Sequence, residues 1–191
     1  MAERESDNRS MILGAARELV AGTNDPKSIT VRQVAQRAGV GTGLVNYHFG
    51  SKDKLFAQVV GEMMADTIAA HEAAPAHGTP PAERLKELLK ELYGVGEEQM
   101  PLMRYLLGWE LTEGNLEAPL YLVPLLREVF AGQADEMRLR VMALQILQPI
   151  QAAALNPGSF RLYCGIDLTD PAQRDRFIDS LVENLIKGEE K

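Results

Sequence analysis

The stretch TVRQVAQRAGVGTGLVNYHF, residues 30–49, predicts two short helices joined by a tight turn. Thr30 is a suitable N-cap for the first helix, and Gln33 three residues later completes the pattern of a capping box. Ala35 is small enough for the second helix to cross closely. Gly39 stands where such a turn requires a left-handed backbone, which glycine adopts without steric cost. A helix pair with a short glycine turn is typical of the helix-turn-helix motif, whose second helix fits the major groove of DNA.

The candidate DNA-contacting residues of this motif divide by chemistry. Thr42 and Asn46 offer hydrogen-bonding groups to base edges, where asparagine can pair with adenine through two bonds, and Gly43 brings bare backbone close to the DNA. The other candidates are suited to phosphate contacts, which position a protein without reading the base sequence. They are Tyr47, His48 and Lys52, with Thr30 and Arg32 near the start of the preceding helix. For His48 a second interpretation stays open, that of a histidine at the edge of the core.

The charge distribution is compatible with a DNA-binding N-terminal segment. The net charge of −7 by itself argues against nucleic acid, because DNA binding requires Lys and Arg to neutralise phosphates. Residues 1–54, however, contain eight Lys and Arg against six Asp and Glu, whereas the remainder contains twelve against twenty-one. The acidic residues are therefore concentrated outside the N-terminal quarter, as in a DNA-binding head on an acidic body.

The rest of the chain has the periodicity of helices and no alternating run that requires a strand. We predict an all-α fold of about nine helices, with loops at residues 74–81 and 156–170. The clearest helices beyond the motif, apart from an amphipathic first one, are predicted at residues 53–72 (with Ser51 as N-cap), 82–99, 137–155 and 171–187.

The quoted stretch and its flanks resemble the DNA-binding domain of the tetracycline-repressor (TetR) family of bacterial regulators. The matching pieces are Ile29-Thr30-Val31, Val34-Ala35, Ala38-Gly39-Val40, Tyr47-His48-Phe49 and Ser51-Lys52-Asp53-Lys54-Leu55. The resemblance implies an all-helical homodimer with a three-helix N-terminal head and a larger C-terminal domain that dimerises and binds an effector. We place the helix-turn-helix domain at residues 1–54 and the effector-binding and dimerisation domain at 55–191.

Two positions depart from the family pattern. Gly41 stands where such proteins often carry Ser or Thr at the start of the recognition helix, so that Thr42 becomes the candidate cap. Asn46 stands where many members have Tyr, and this changes the base contacts that the resemblance implies at that position.

Apolar and aromatic residues in the C-terminal part are candidates for lining an effector pocket, because Met and aromatic side chains suit adaptable cavities. Ordinary core packing at helical spacing is the alternative for each of them. Trp109, Met103 and Leu106 share one helix face, and Gln145 would supply a polar contact to a ligand or to a partner subunit. The candidates are Tyr93, Met103, Leu106, Trp109, Tyr121, Met142 and Gln145.

The last helix carries a broad apolar stripe that must be buried, either within the chain or against a second copy. The family resemblance favours a second copy, in a four-helix contact with residues 137–155. The candidate dimer residues are Leu144, Gln148, Phe177, Ile178, Leu181, Val182 and Leu185.

These patterns together predict a sequence-specific DNA-binding transcriptional regulator, a repressor that a small-molecule effector releases from a pseudo-palindromic operator. A helical small-molecule-binding or interaction protein without sequence-specific DNA binding is the alternative. We expect no enzymatic activity, metal or cofactor, since the three histidines and one cysteine have no metal-ligand spacing. We also expect no membrane segment and a cytoplasmic location, because the start of the chain is polar and the single Cys164 cannot form an internal disulfide.

Overall fold

The computed structural model describes residues 2–74, 78–113 and 116–188, and within these ranges the chain is helical without any strand. This confirms the all-α prediction. Short 3-10 turns occur at Pro26–Ser28 and Ala118–Leu122. The ten α-helices of the described ranges are α1 (Ala2–Ala21), α2 (Val31–Ala38), α3 (Thr42–Phe49), α4 (Lys52–Ala73), α5 (Pro81–Glu98), α6 (Met100–Glu113), α7 (Val123–Val129), α8 (Glu136–Leu155), α9 (Pro157–Cys164) and α10 (Pro171–Lys187).

The first compact unit comprises Met1–Asp66 and Val95–Gly114. Helices α1, α2 and α3 contact one another, and α6 contacts the 3-10 turn that precedes α2. The largest fully buried side chain of this core is Phe56 of α4, and Leu102 and Leu106 of α6 are buried in the same cluster. The compact unit that contains the helix-turn-helix therefore includes α6, in addition to the residues 1–54 that we predicted as the DNA-binding domain.

The second compact unit comprises Thr67–Gly94 and Asn115–Lys191. Its core is formed mainly by α5, α7, α8 and α10, with α8 contacting α7, α9, α10 and the turn Ala118–Leu122. Helix α8 continues through Pro149, and Ile146 and Ile150 on either side of that proline are buried. Helices α4 and α5 each have residues in both units.

The predicted loop at residues 156–170 is wrong over its first half, because Pro157–Cys164 form the helix α9. The sequence Asn-Pro-Gly is a turn signal, but proline is also favoured in the first turn of a helix, where its missing N–H has no helical partner. Gly165 ends the helix with a φ of 71°, and its N–H donates to the carbonyl of Arg161 at 2.8 Å. Phe160 packs against Phe177, with ring centroids 4.9 Å apart, whereas Leu162 and Tyr163 are each 91% exposed.

Candidate nucleic-acid interface

The predicted capping box at the start of α2 is present. The Thr30 hydroxyl oxygen accepts a hydrogen bond from the N–H of Gln33 at 3.2 Å. The Gln33 side-chain oxygen in turn accepts from the backbone N–H and the hydroxyl of Thr30, each at 2.8 Å. The Thr30 hydroxyl thus has partners inside the motif, and its local role is to hold the first turn of α2.

Helix α2 ends in a glycine turn of the expected conformation. Gly39 has φ 70° and ψ 25°, in the left-handed region. The N–H of Val40 donates to the carbonyl of Ala35 at 2.9 Å, and the N–H of Gly39 donates to that of Gln36 at 3.3 Å. This pair of bonds is the Schellman arrangement, which satisfies carbonyls that the helix end leaves without partners.

Helix α3 begins at Thr42, but Thr42 does not cap it, contrary to our expectation. Gly41 occupies the N-cap position with an extended backbone, φ −76° and ψ 148°, and no side chain caps this helix. The N–H of Leu44 donates to the carbonyl of Gly41 at 3.0 Å. The exposed hydroxyl of Thr42 is therefore not engaged as a cap, and it keeps its hydrogen-bonding capacity at the outer surface of the helix.

One face of α3 points to solvent and the opposite face is buried. Thr42, Gly43, Asn46 and Tyr47 are exposed, and within the described part of the chain the Thr42 and Asn46 side chains have no hydrogen-bond partner. Val45 and Phe49 on the other face are 2% and 4% exposed and pack in the core of the first unit. Four of the five residues predicted to face DNA on this helix are therefore exposed together on one accessible surface.

Tyr47 is 72% exposed, and its hydroxyl donates a hydrogen bond to the carboxylate of Glu5 on α1 at 3.1 Å. This bond, with the negative charge of Glu5, raises the pKa of Tyr47 above its usual value. Glu5 and Tyr47 lie 42 positions apart, and no local pattern relates them.

His48 is only half-buried, yet its Nε2 atom is shielded from solvent and has no hydrogen-bond partner among the described residues. Its ring packs between neighbouring aromatics, 5.2 Å from the Tyr47 ring and 6.1 Å from the Phe49 ring, measured between centroids. This placement supports the second interpretation of His48, that of a residue at the edge of the core.

Arg32 and Lys52, both predicted to contact phosphate, differ in their surroundings. Arg32 is exposed, and no carboxylate in the described ranges pairs with it. Lys52 is partly buried, and its ammonium group donates to the backbone carbonyls of Lys27 and Ile29, each at 3.0 Å.

A tyrosine of α6 lies beside Lys52. The ammonium group is 5.5 Å from the centroid of the Tyr105 ring and 5.7 Å from that of Phe56. The Tyr105 hydroxyl donates a hydrogen bond to the carboxylate of Asp53. Burial and this hydrogen bond raise the pKa of Tyr105 to about 12, because both favour its neutral form.

Arg9 is a further basic residue at this surface, and it was not among the residues predicted to contact DNA. Its guanidinium lies 5.7 Å from the Phe49 ring centroid and donates to the Gln58 side-chain oxygen at 2.8 Å. It is exposed near the end of α3, whereas another exposed arginine, Arg37, is paired with Glu18. The only sequence signal for Arg9 was its position on the polar side of α1.

The predicted effector-pocket residues are distributed over both compact units. In the first unit, Leu106 is buried in the core and Trp109 packs against that core. The Met103 side chain lies beside Gly96, close enough to contact a Cβ atom added there. In the second unit, Met142 is 3% exposed and belongs to the core, which matches the alternative of ordinary packing. Of the remaining three, Tyr93 has the guanidinium of Arg174 over its ring, and Tyr121 and Gln145 are exposed.

The predicted dimer residues divide into accessible and inaccessible ones. Ile178 and Val182 are fully buried in the core of their own unit, so they are not accessible to a partner chain in this conformation. The other five are partly exposed: Leu144 and Gln148 on α8, and Phe177, Leu181 and Leu185 on α10. Two apolar residues that we had not selected, Met137 and Val141, are 72% and 47% exposed on α8.

No group of three or more His, Cys, Asp or Glu side chains in the described ranges is arranged to hold a metal ion. None of the described helices combines the length and apolarity needed to cross a membrane.

The fold combines a helix-turn-helix, with one exposed face on its second helix, and a larger helical C-terminal part. Residues 12–59 match the family model of bacterial regulatory proteins of the tetR family. This match spans the helix-turn-helix region, and there it confirms the resemblance found in the sequence.

Solved structures share this fold over nearly the whole chain. A TetR transcriptional regulator from Rhodococcus sp. RHA1 has a TM-score of 0.75 and 15% identity, with 95% of this chain and 97% of that one covered. FadR from Thermus thermophilus, a TetR-family repressor in complex with lauroyl-CoA, has a TM-score of 0.74, 17% identity and coverage of 95% and 94%. RolR in complex with resorcinol has a TM-score of 0.59, 16% identity and coverage of 96% and 89%. No curated protein matches the sequence significantly.

Proposed function

We propose that the protein is a repressor that binds a pseudo-palindromic operator as a homodimer and is released by a small-molecule effector. The observation that carries the DNA-binding part is the exposed face of α3, where Thr42, Gly43, Asn46 and Tyr47 project from a helix held by its buried face. A recognition helix in this setting enters the major groove, and a two-fold dimer places two such helices about one DNA turn apart.

Within this interface we assign different roles to the exposed residues. Thr42 and Asn46 contact base edges, with Asn46 suited to adenine, and Gly43 permits close approach of the backbone. Tyr47 and Arg32 contact phosphates, and the exposed guanidinium of Arg9 extends the phosphate-binding surface beside α3.

The homodimer is supported by apolar surface on the second unit. Met137 and Val141 of α8 are exposed, and Leu181 and Leu185 of α10 are partly exposed, although soluble monomers tend to keep such side chains covered. Helices α8 and α10 contact each other within the chain. A second copy that covers both helices would form a four-helix contact.

The proposal that a small-molecule effector exists is supported by the fold alone. FadR and RolR, which share this fold, are described in complex with lauroyl-CoA and resorcinol, two ligands of different chemistry. We propose that α4, which has residues in both compact units, transmits effector binding to the recognition helix. A differential affinity of about 1–3 kcal/mol between the two states changes operator occupancy by roughly one to two orders of magnitude.

The first experiment is selection from a randomised duplex library at low salt, followed by sequencing. Wild-type protein should enrich a palindromic motif, and Asn46→Ala should lose the preference at one position of each half-site. Asn24→Ala is the matched control, because Asn24 is exposed on the same unit but outside α3. Phosphate contacts are strongest at low salt. If wild-type protein enriches no motif under that condition, the alternative of a helical interaction protein without sequence-specific DNA binding is favoured.

The second experiment uses the operator obtained from this selection. Candidate ligands are screened for release of the duplex, and each ligand found is tested against variants of Met103, Trp109 and Tyr93. The effector proposal fails if no ligand changes operator affinity. An activator, or a regulator that responds to a protein partner, would then be the better description.

A further inference from the structure

We propose that Lys52 is a positioning residue that fixes the chain segment leading into α2, and that it does not contact DNA phosphate. Tyr105 of α6 holds the Lys52 side chain in place. The inference rests on the proposed DNA binding and concerns how the binding surface is assembled. It assigns to Lys52 a role different from the one that its charge and position in the sequence predict.

The first observation is the direction of the Lys52 side chain. Its ammonium group donates to the carbonyls of Lys27 and Ile29, each at 3.0 Å, from the first turn of α4. Lys27 is in the 3-10 turn, and Ile29 directly precedes Thr30, the N-cap of α2. Lys52 therefore connects the start of α4 to the chain segment that enters α2.

The second observation is the aromatic surface on which the ammonium group lies. The ring centroids of Tyr105 and Phe56 are within 6 Å of the Lys52 nitrogen, a distance at which cation–π attraction operates. The two rings meet edge to face, with centroids 6.2 Å apart. The Tyr105 hydroxyl is in turn bound to Asp53, so that α6 contacts two successive residues of α4.

These contacts occupy most of the hydrogen-bonding capacity of the Lys52 ammonium group. An ammonium group has three donors, and two of them are directed to backbone carbonyls. Only the third donor is left for a phosphate, and the rings of Tyr105 and Phe56 lie against the same ammonium group. Arg32 is the contrasting case, because it is exposed and has no carboxylate partner in the described chain.

The salt dependence of operator binding separates the two roles. Loss of one phosphate contact reduces the slope of log affinity against log salt by about 0.9 on duplex DNA. We expect Lys52→Met, which retains an apolar stem, to weaken binding on the order of tenfold through the lost charged bonds, without changing the slope. Arg32→Ala is the matched control and should reduce the slope by about 0.9.

A double-mutant cycle tests the part played by Tyr105. Tyr105→Leu should weaken operator binding, and its effect should be much smaller in the Lys52→Met background, because both changes disrupt the same arrangement. Tyr105→Phe keeps the ring and should retain most of the affinity. A reduced slope for Lys52→Met, or additive effects of Lys52→Met and Tyr105→Leu, would overturn the proposal.

Hydrogen exchange makes this test independent of the proposed function. In Lys52→Met the amides of Gln33 and Val34 in the first turn of α2 should exchange faster, while those of α8 in the second unit should not change. Unchanged exchange at Gln33 and Val34 would refute the positioning role. Failure of wild-type protein to bind any duplex sequence specifically would refute the DNA-binding proposal and leave this result intact.

Discussion

The substitution Gly39→Ala should destabilise the first unit through the backbone alone. Gly39 has a φ of 70°, and a Cβ atom added there would have no heavy atom within 4 Å, so no steric clash with neighbours contributes. The left-handed conformation costs an L-residue about 1–2 kcal/mol. Alanine also reduces the entropy of the unfolded chain, which offsets roughly 0.4–1 kcal/mol. We therefore expect a net loss of about 1 kcal/mol in the free energy of unfolding.

Fluorescence of Trp109 provides the assay. It is the chain's only tryptophan and packs against the core of the first unit, so that its signal in a urea titration reports on the unit containing Gly39. With an m-value of about 1–3 kcal/mol/M, the midpoint should fall by roughly 0.3–1 M. Protein concentration is kept constant because dimerisation would alter the apparent stability.

Two control variants make the reasoning refutable. Gly14 is exposed inside α1, also with nothing within 4 Å of an added Cβ, and Gly14→Ala should raise stability by about 0.5–1 kcal/mol because glycine is a poor helix residue. Gly39→Asn should lose less than Gly39→Ala, since asparagine adopts left-handed conformations more readily. If Gly39→Ala is as stable as the wild type, or both alanine variants shift stability in the same direction, the conformational explanation is incorrect.

Three further predictions concern individual side chains of the first unit. Thr30→Ala removes the cap of α2 and should lower the free energy of unfolding by about 1 kcal/mol in the Trp109 assay, whereas Thr30→Ser should retain most of it. Glu5→Gln removes a negative charge beside the hydroxyl of Tyr47 and should raise operator affinity at low salt more than Asp7→Asn does; equal effects would argue against a local role for Glu5. Tyr105 has a pKa of about 12 in the folded chain, above the ordinary value of 10.0, so its contribution to stability is complete below pH 10 and is lost as the pH rises to 12. Wild-type protein should therefore lose more stability than Tyr105→Phe over that interval, and parallel pH profiles would contradict this.

The sequence by itself determined the features that arise from neighbours along the chain. The capping box of Thr30 and Gln33 and the glycine turn at Gly39 involve contacts within about five residues, and each was predicted in its observed form. Helical periodicity likewise located α8 and α10 within one residue of their ends. Local rules failed where one signal had two meanings, as at Pro157, which begins α9 although its sequence context is also that of a turn.

The tertiary structure decided what the candidate side chains contact. Lys52 was a plausible phosphate ligand by charge, but carbonyls 23 and 25 positions away bind its ammonium group. The pairing of Tyr47 with Glu5 and the burial of Ile178 and Val182 also depend on distant segments. Periodicity identifies the apolar face of a helix, but it does not specify whether that face meets its own core or a partner. Such contacts form only when helices remote in sequence pack together, and therefore no local pattern encodes them.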